Sequence, residues 1–247
     1  MQSDFIQQFV GGLMGLAHRG GKLLHSGGML RCTCCDECPT VGIVGHLAGY
    51  VSRCCNRGTY RMLSGVESNL SLLNQCAAIF HTGVYQDGCG DTPFFDPGDF
   101  AEVGDWLSAG GRMYLMGDNK NCMSETKKDL LNDFLSAIGS SIQFHNDKDC
   151  RYGCDDPQVT VPASIGSVSG DFVYDRGGRV SGGTTLATAP SGVAGKPDCD
   201  GHIFMAGESI GSGYIVVVSD IESTVDSCDP APLDNCWFIR ELIEGNL

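Results

Sequence analysis

Two short segments limit what this chain can fold into. "CAAIFHTG" (residues 76–83) and "RMYLM" (residues 112–116) are apolar or small at nearly every position. A strand with one wet face alternates apolar and polar side chains. A strand without that alternation is covered on both faces, as in a parallel sheet between layers of helix. The flanking sequence keeps the rhythm of such a sheet. "VGIVGH" and "YRML" read as short strands ahead of it. Asp96 and Pro97 read as the N-cap and first-turn proline of a helix with Phe100, Val103 and Leu107 as its buried stripe, stopped by Gly110. Ser124 caps a second helix, whose face is Leu130, Leu131, Phe134, Leu135 and Ile138, closed by Gly139. "SIQF" reads as a strand, and residues 150–200, rich in Gly, Ser and Thr, as short strands and loops. "HIFMAGESIGSGYIVVVSD" reads as a hairpin whose turn holds Gly207, Gly211 and Gly213, and "LDNCWFIRELI" as an amphipathic C-terminal helix. Trp106 and Trp237 fall on predicted helices and read as core residues.

Size and charge agree with one large domain plus an appendage. The chain has 247 residues, 42% of them hydrophobic, enough for a substantial core. Its 30 acidic side chains outnumber 16 basic ones, giving a net charge of -14. Nucleic-acid binding draws on a basic face that releases counterions, so no nucleic-acid partner is expected. No apolar run is long enough to span a membrane. The first apolar stretch, residues 9–17, has no basic residue before it; His18, Arg19 and Lys22 follow it, so no secretory signal is expected.

Residues 1–40 differ from the rest. Phe5, Ile6, Phe9, Val10, Leu13, Met14 and Leu16 recur at helical spacing, but Gly11, Gly12 and Gly15 weaken a helix there. "GGKLLHS" is followed at once by "GGMLRCT", a two-copy repeat too short for a solenoid. The expectation is a Gly- and Cys-rich N-terminal arm over 1–40, irregular by itself or ordered against neighbouring subunits, followed by an α/β domain over 41–247.

The order of pieces from 41 onward resembles the class I glutamine amidotransferase-like domains. The matching segments are "CAAIFHTG", "WLSAGGRMYLMGD", "LLNDFLSAIGSSIQF", "GSGYIVVVSDIE" and "LDNCWFIRELI". The resemblance implies a three-layer, mostly parallel sheet of flavodoxin-like type. It also implies where a nucleophile would stand: a cysteine in a Gly-x-Cys-x-Gly turn after "RMYLM", with His and Glu after the last strand. Here the turn reads Met116-Gly117-Asp118-Asn119-Lys120, and Cys122 comes too late. The last strand is followed by Ser219, Asp220, Ile221 and Glu222, with no histidine. A thiolate needs a base within hydrogen-bond reach, so glutaminase activity is not expected.

One polar constellation remains. Ligands in open parallel sheets bind at the carboxyl ends of the strands. His81, Asp118 and Asp220 each end a predicted strand, with Asn119 and Glu222 nearby. Converging, they could hold a divalent metal or polarise a water; otherwise the two aspartates cap turns and the histidine sits in a crevice. "GIVGHLAG" lacks the spaced glycine triplet of a dinucleotide loop.

Fourteen cysteines leave reduced thiols, a zinc site and disulfides open. Cys32, Cys34, Cys35 and Cys38, near His25 and His46, fit a zinc site in residue type though not in a standard knuckle spacing. Disulfides fit equally, with Cys150–Cys154 and Cys228–Cys236 as the local pairs. The expected function is a non-catalytic structural or assembly protein, joined to copies of itself or to other structural subunits, such as a component of a phage virion or other released particle. That accounts together for abundant cysteines, an acidic surface and an arm. The alternatives are a metal-dependent or amidotransferase-like hydrolase using His81, Asp118 and Asp220, and a small-molecule or glycan-binding module.

Overall fold

The two segments without alternation are neighbouring strands in the middle of a nine-stranded sheet. The computed structural model describes residues 16–19, 22–25, 28–30, 39–44, 61–81, 94–118, 123–151, 159–174, 176–191, 200–219 and 235–245. In chain order the strands are β1 (Leu16–Arg19), β2 (Lys22–His25), β3 (Gly28–Leu30), β4 (Thr40–Val44), β5 (Arg61–Ser64), β6 (Ala78–His81) and β7 (Arg112–Met116). They continue with β8 (Gln143–Arg151), β9 (Val159–Ile165), β10 (Val168–Tyr174), β11 (Arg176–Ser181), β12 (Thr184–Thr188), β13 (Ile203–Ile210) and β14 (Gly213–Val218). The helices are α1 (Phe100–Ser108), α2 (Glu125–Ala137) and α3 (Cys236–Glu244). None of them is long and apolar enough to cross a membrane.

Strands β5, β4, β6, β7 and β14 lie side by side and run parallel. Numbered along the chain, their order is 2-1-3-4-5, one of the two common doubly wound arrangements. Beyond β14 the sheet continues antiparallel through β13, β12, β9 and β10. The expectation of a mostly parallel sheet is corrected here to a mixed one. A two-residue turn at Gly211 and Ser212 joins β13 to β14, and so short a connection permits only antiparallel pairing. Gly207 and Gly213, expected in that turn, are strand residues instead.

Side-chain alternation along these strands builds a core on each face. Tyr114 and Met116 of β7, with Val216 and Val218 of β14, face Phe238, Ile239 and Leu242 of α3. Met113 and Leu115, with Ile215 and Val217, face Val103 and Leu107 of α1 and Leu131, Phe134 and Leu135 of α2. All of these residues are buried, at rates that follow the expected helix stripes. Ser124 caps α2 by accepting from the Lys127 N–H. The expected start of α1 moves: Pro97–Asp99 is a short 3-10 turn, and the α-helix begins at Phe100.

Two asparagines tie elements together in the same way. The Asn235 amide accepts from the Val173 N–H at 2.6 Å and donates to the Val173 carbonyl at 3.1 Å, pinning the start of α3 to β10. The Asn132 amide does the same for Phe144, joining α2 to β8, with 2.8 and 3.1 Å bonds. Each amide substitutes for a neighbouring strand. Since β10 is the last strand of the sheet, Asn235, helped by the Trp237 indole donating to the Asp171 carbonyl at 2.7 Å, covers part of its open edge.

Within the arm, β1, β2 and β3 form their own three-stranded antiparallel sheet. Leu16, read from its spacing as helical, belongs to a strand. The two Gly-Gly repeats bracket the paired segments, so the seven-residue period is that of successive short strands. The helical spacing over residues 5–14 lies outside the described residues.

Candidate functional site

His81 ends β6, and the switch in strand order lies beside it, between β4 and β6. The ladder sets Val44 against His81 and His81 against Leu115. The next strand, β7, ends at Met116, two residues before Asp118, and β14 ends one residue before Ser219. Four polar or charged residues are fully buried among the described ones: His81, Asp118, Ser219 and Asn235. Asn235 is explained by its clamp on β10. The other three stand at the carboxyl ends of three adjacent strands.

Aromatic rings enclose His81. The Phe94 ring meets it edge-on at 4.7 Å between centroids, and Phe95 lies at 5.7 Å. Phe94 and Phe95 also pack on Phe134 of α2. His81 therefore sits on the α1–α2 face, 0% exposed. Asp118 is 1% exposed. It follows Gly117, whose N–H donates to the Val218 carbonyl at 2.7 Å and extends the β7–β14 ladder by one bond. A side chain at 117 would run into the Phe144 ring, so glycine lets β8 close over this strand end.

Ser219 uses every polar group it has. Its hydroxyl donates to the Asp118 carbonyl at 3.3 Å, and its N–H to the Phe204 carbonyl at 2.8 Å. Its own carbonyl accepts from the Gly178 N–H at 2.7 Å. Gly178 is held from the other side by His202, whose Nε2 lies 2.9 Å from its carbonyl oxygen. A Cβ at Gly177 would come within 2.7 Å of the Ser219 carbonyl oxygen. The "GG" of β11 is thus a roof laid across the end of β14, at a distance no side chain would permit.

The structure brings His81 and Asp118 to neighbouring strand ends. Asp220, Asn119 and Glu222 lie outside the described residues, as do Cys122, Cys32, Cys34, Cys35 and Cys38. Among the described residues, no group of three or more His, Cys, Asp or Glu side chains is placed to hold a metal ion. Cys236 is disulfide-bonded, to a cysteine outside the residues whose side chains are described. Cys76 is a free thiol buried between β4 and α1; burial pushes its pKa up to about 11, so it is not a ready thiolate. Ser219, His202 and the Gly177–Gly178 pair were not singled out from sequence. The available signal was local: a double glycine in "DRGGRV", and "SD" directly after a run of valines.

No protein-family model and no curated protein matches the sequence. Solved structures do match the fold. The mmIFT52 N-terminal domain aligns with a TM-score of 0.57 at 14% identity, over 83% of this chain and 97% of that one. The β-galactosidase from Rahnella sp. R3 aligns at 0.52 and 11% identity, over 85% of this chain and 32% of that one. The β-galactosidase from Bacillus circulans sp. alkalophilus aligns at 0.51 and 12%, over 85% and 30%. This chain spans about a third of those two enzymes' length. At such identities the likeness is one of fold: an α/β domain built on a large mixed sheet.

Proposed function

We propose that this chain is a non-catalytic, amidotransferase-like domain of flavodoxin-like type that serves as a structural subunit of an assembled particle. One observation carries the non-catalytic part: His81, Asp118 and Ser219, at the strand ends where such folds bind ligands, are 0%, 1% and 0% exposed. A nucleophile or general base has to reach substrate. Here β11 and His202 cover the end of β14, Phe144 packs on the Gly117 that follows β7, and Phe94 and Phe95 pack on His81 at the end of β6. The turn after β7 carries Gly117 and Asp118 in place of a nucleophile. Assembly is assigned to residues 1–40, whose strands pair with one another outside the nine-stranded sheet.

A second reading, a hydrolase or ligand-binding module at the same edge, is favoured by one feature. Fully buried polar side chains end three adjacent strands, a placement that a purely apolar packing does not need. Turnover separates the readings. Purified protein is assayed for glutamine hydrolysis, and for hydrolysis of an activated ester with and without zinc or manganese. The proposal expects rates equal to buffer in every case. Ester turnover lost in Asp118→Asn, or glutaminase activity lost in Cys122→Ala, contradicts it.

A further inference from the structure

At the opposite end of the sheet, where β7 and β14 begin, a cleft of about 260 Å³ opens between the β13–β14 turn and the end of α3. Its lining includes Arg112, Ser209, Ser212, Tyr214 and Gly245, and Arg112 is the only charged residue among the described ones there. Arg112 is half-buried. Its Nε donates to the Ala77 carbonyl at 3.2 Å, which aims the fork and leaves the two terminal nitrogens for other partners. Among the described residues no carboxylate stands within ion-pair distance of it. Burial lowers its pKa.

A half-buried cation with no carboxylate partner among the described residues is out of character in a chain with 30 acidic and 16 basic side chains. Burying a charge without compensation is costly. Some compensation comes from α3, which ends at Gly245 in the left-handed conformation (φ 73°) directly over the guanidinium. The carboxyl end of a helix carries only about half a negative charge. The described lining adds uncharged hydrogen-bonding residues, Ser209 and Ser212, while the Tyr214 hydroxyl lies over Gly207.

We propose that this cleft binds an anionic group, a carboxylate or a phosphate, held by the Arg112 fork with Ser209 and Ser212 beside it. The planar guanidinium matches two oxygens of either group at once, which a lysine cannot do. The inference is independent of the strand-end site, about a sheet's length away.

The test follows thermal unfolding of the full chain with inorganic phosphate, with acetate and with chloride at matched ionic strength. A ligand that binds only the folded state raises the melting temperature in a saturable way. The proposal expects such a rise with phosphate or acetate and none with chloride; which of the two acts identifies the group bound. Arg112→Gln should lose the rise, and Arg112→Lys should keep a smaller one. An equal rise for all three salts, or an undiminished one in Arg112→Gln, overturns the proposal. Should Arg112→Gln not fold, amide shifts decide it on the unaltered protein. Phosphate or acetate must then perturb the Ser212 and Gly213 amides before those at the strand carboxyl ends, and a uniform or absent response overturns it.

Discussion

Asn132 and Asn235 show how much of this fold depends on single polar side chains with two-sided geometry. A primary amide offers one acceptor and two donors, so it can satisfy both the N–H and the C=O of one strand residue. Asn235 is 0% exposed, and removing it leaves both groups of Val173 buried and unmet. An unmet buried group costs about 1–3 kcal/mol, so Asn235→Ala should lower stability by about 2–4 kcal/mol. Asn132 is only half-buried, so water can reach Phe144 in its place. Asn132→Ala should cost clearly less, and denaturant unfolding of the two variants checks the order. Asn235→Asp should also destabilise, because a carboxylate accepts from the Val173 N–H but cannot donate to its carbonyl. The sequence showed Asn235 only as part of "LDNCWFIRELI". Its partner lies 62 residues away, in the Gly-, Ser- and Thr-rich stretch that reads from sequence only as short strands and loops. Local pattern carries helix stripes and caps, as at Ser124; it carries no trace of a bond whose two ends are distant in sequence.

At the scale of elements, the turn after α2 is fixed by Glu208 of β13. Its carboxylate accepts from the Ser140 hydroxyl at 2.7 Å, the Ser141 N–H at 2.7 Å and the Ser141 hydroxyl at 2.8 Å. Burial pushes the Glu208 pKa up, but these hydrogen bonds together outweigh it and hold it below the ordinary 4.5. A depressed folded-state pKa contributes stability that is fully present above the unfolded value and lost as pH falls through the folded one. Stability should therefore be insensitive to this group above about pH 4.5 and decline below it. Glu208→Gln should flatten that acid limb in unfolding curves taken from pH 6 to pH 3, a range set around the ordinary Glu value. An acid limb unchanged in the variant would remove Glu208 from the account. The elements themselves were largely legible. Strands without alternation marked β6 and β7, and apolar spacing marked α1, α2 and α3. The antiparallel half was less so: β9, β10 and β12 pair through Gly-, Ser- and Thr-rich segments whose partners are set by the sheet edge they join. The polar cluster was legible in part. His81 and Asp118 announce themselves as polar groups ending apolar strands, whereas the β11 roof over Ser219 depends on a close approach that "GG" permits without specifying its target.

For the whole molecule, the α/β domain holds its own core, and the proposal gives the arm the role of joining copies together. Every residue of the two buried clusters lies at or after Val41. The strands of residues 16–30 form a separate sheet, too small to be stable unsupported. Glycine-rich chain loses much backbone entropy on ordering, so such a sheet depends on contacts or on cross-links at its neighbouring cysteines. Size-exclusion chromatography with light scattering, paired with circular dichroism, compares the full chain with one beginning at Pro39, which keeps β4 whole. The account predicts a full chain that self-associates and a shortened chain that runs as a monomer with an unchanged α/β spectrum. A shortened chain that associates as strongly as the full one would contradict it.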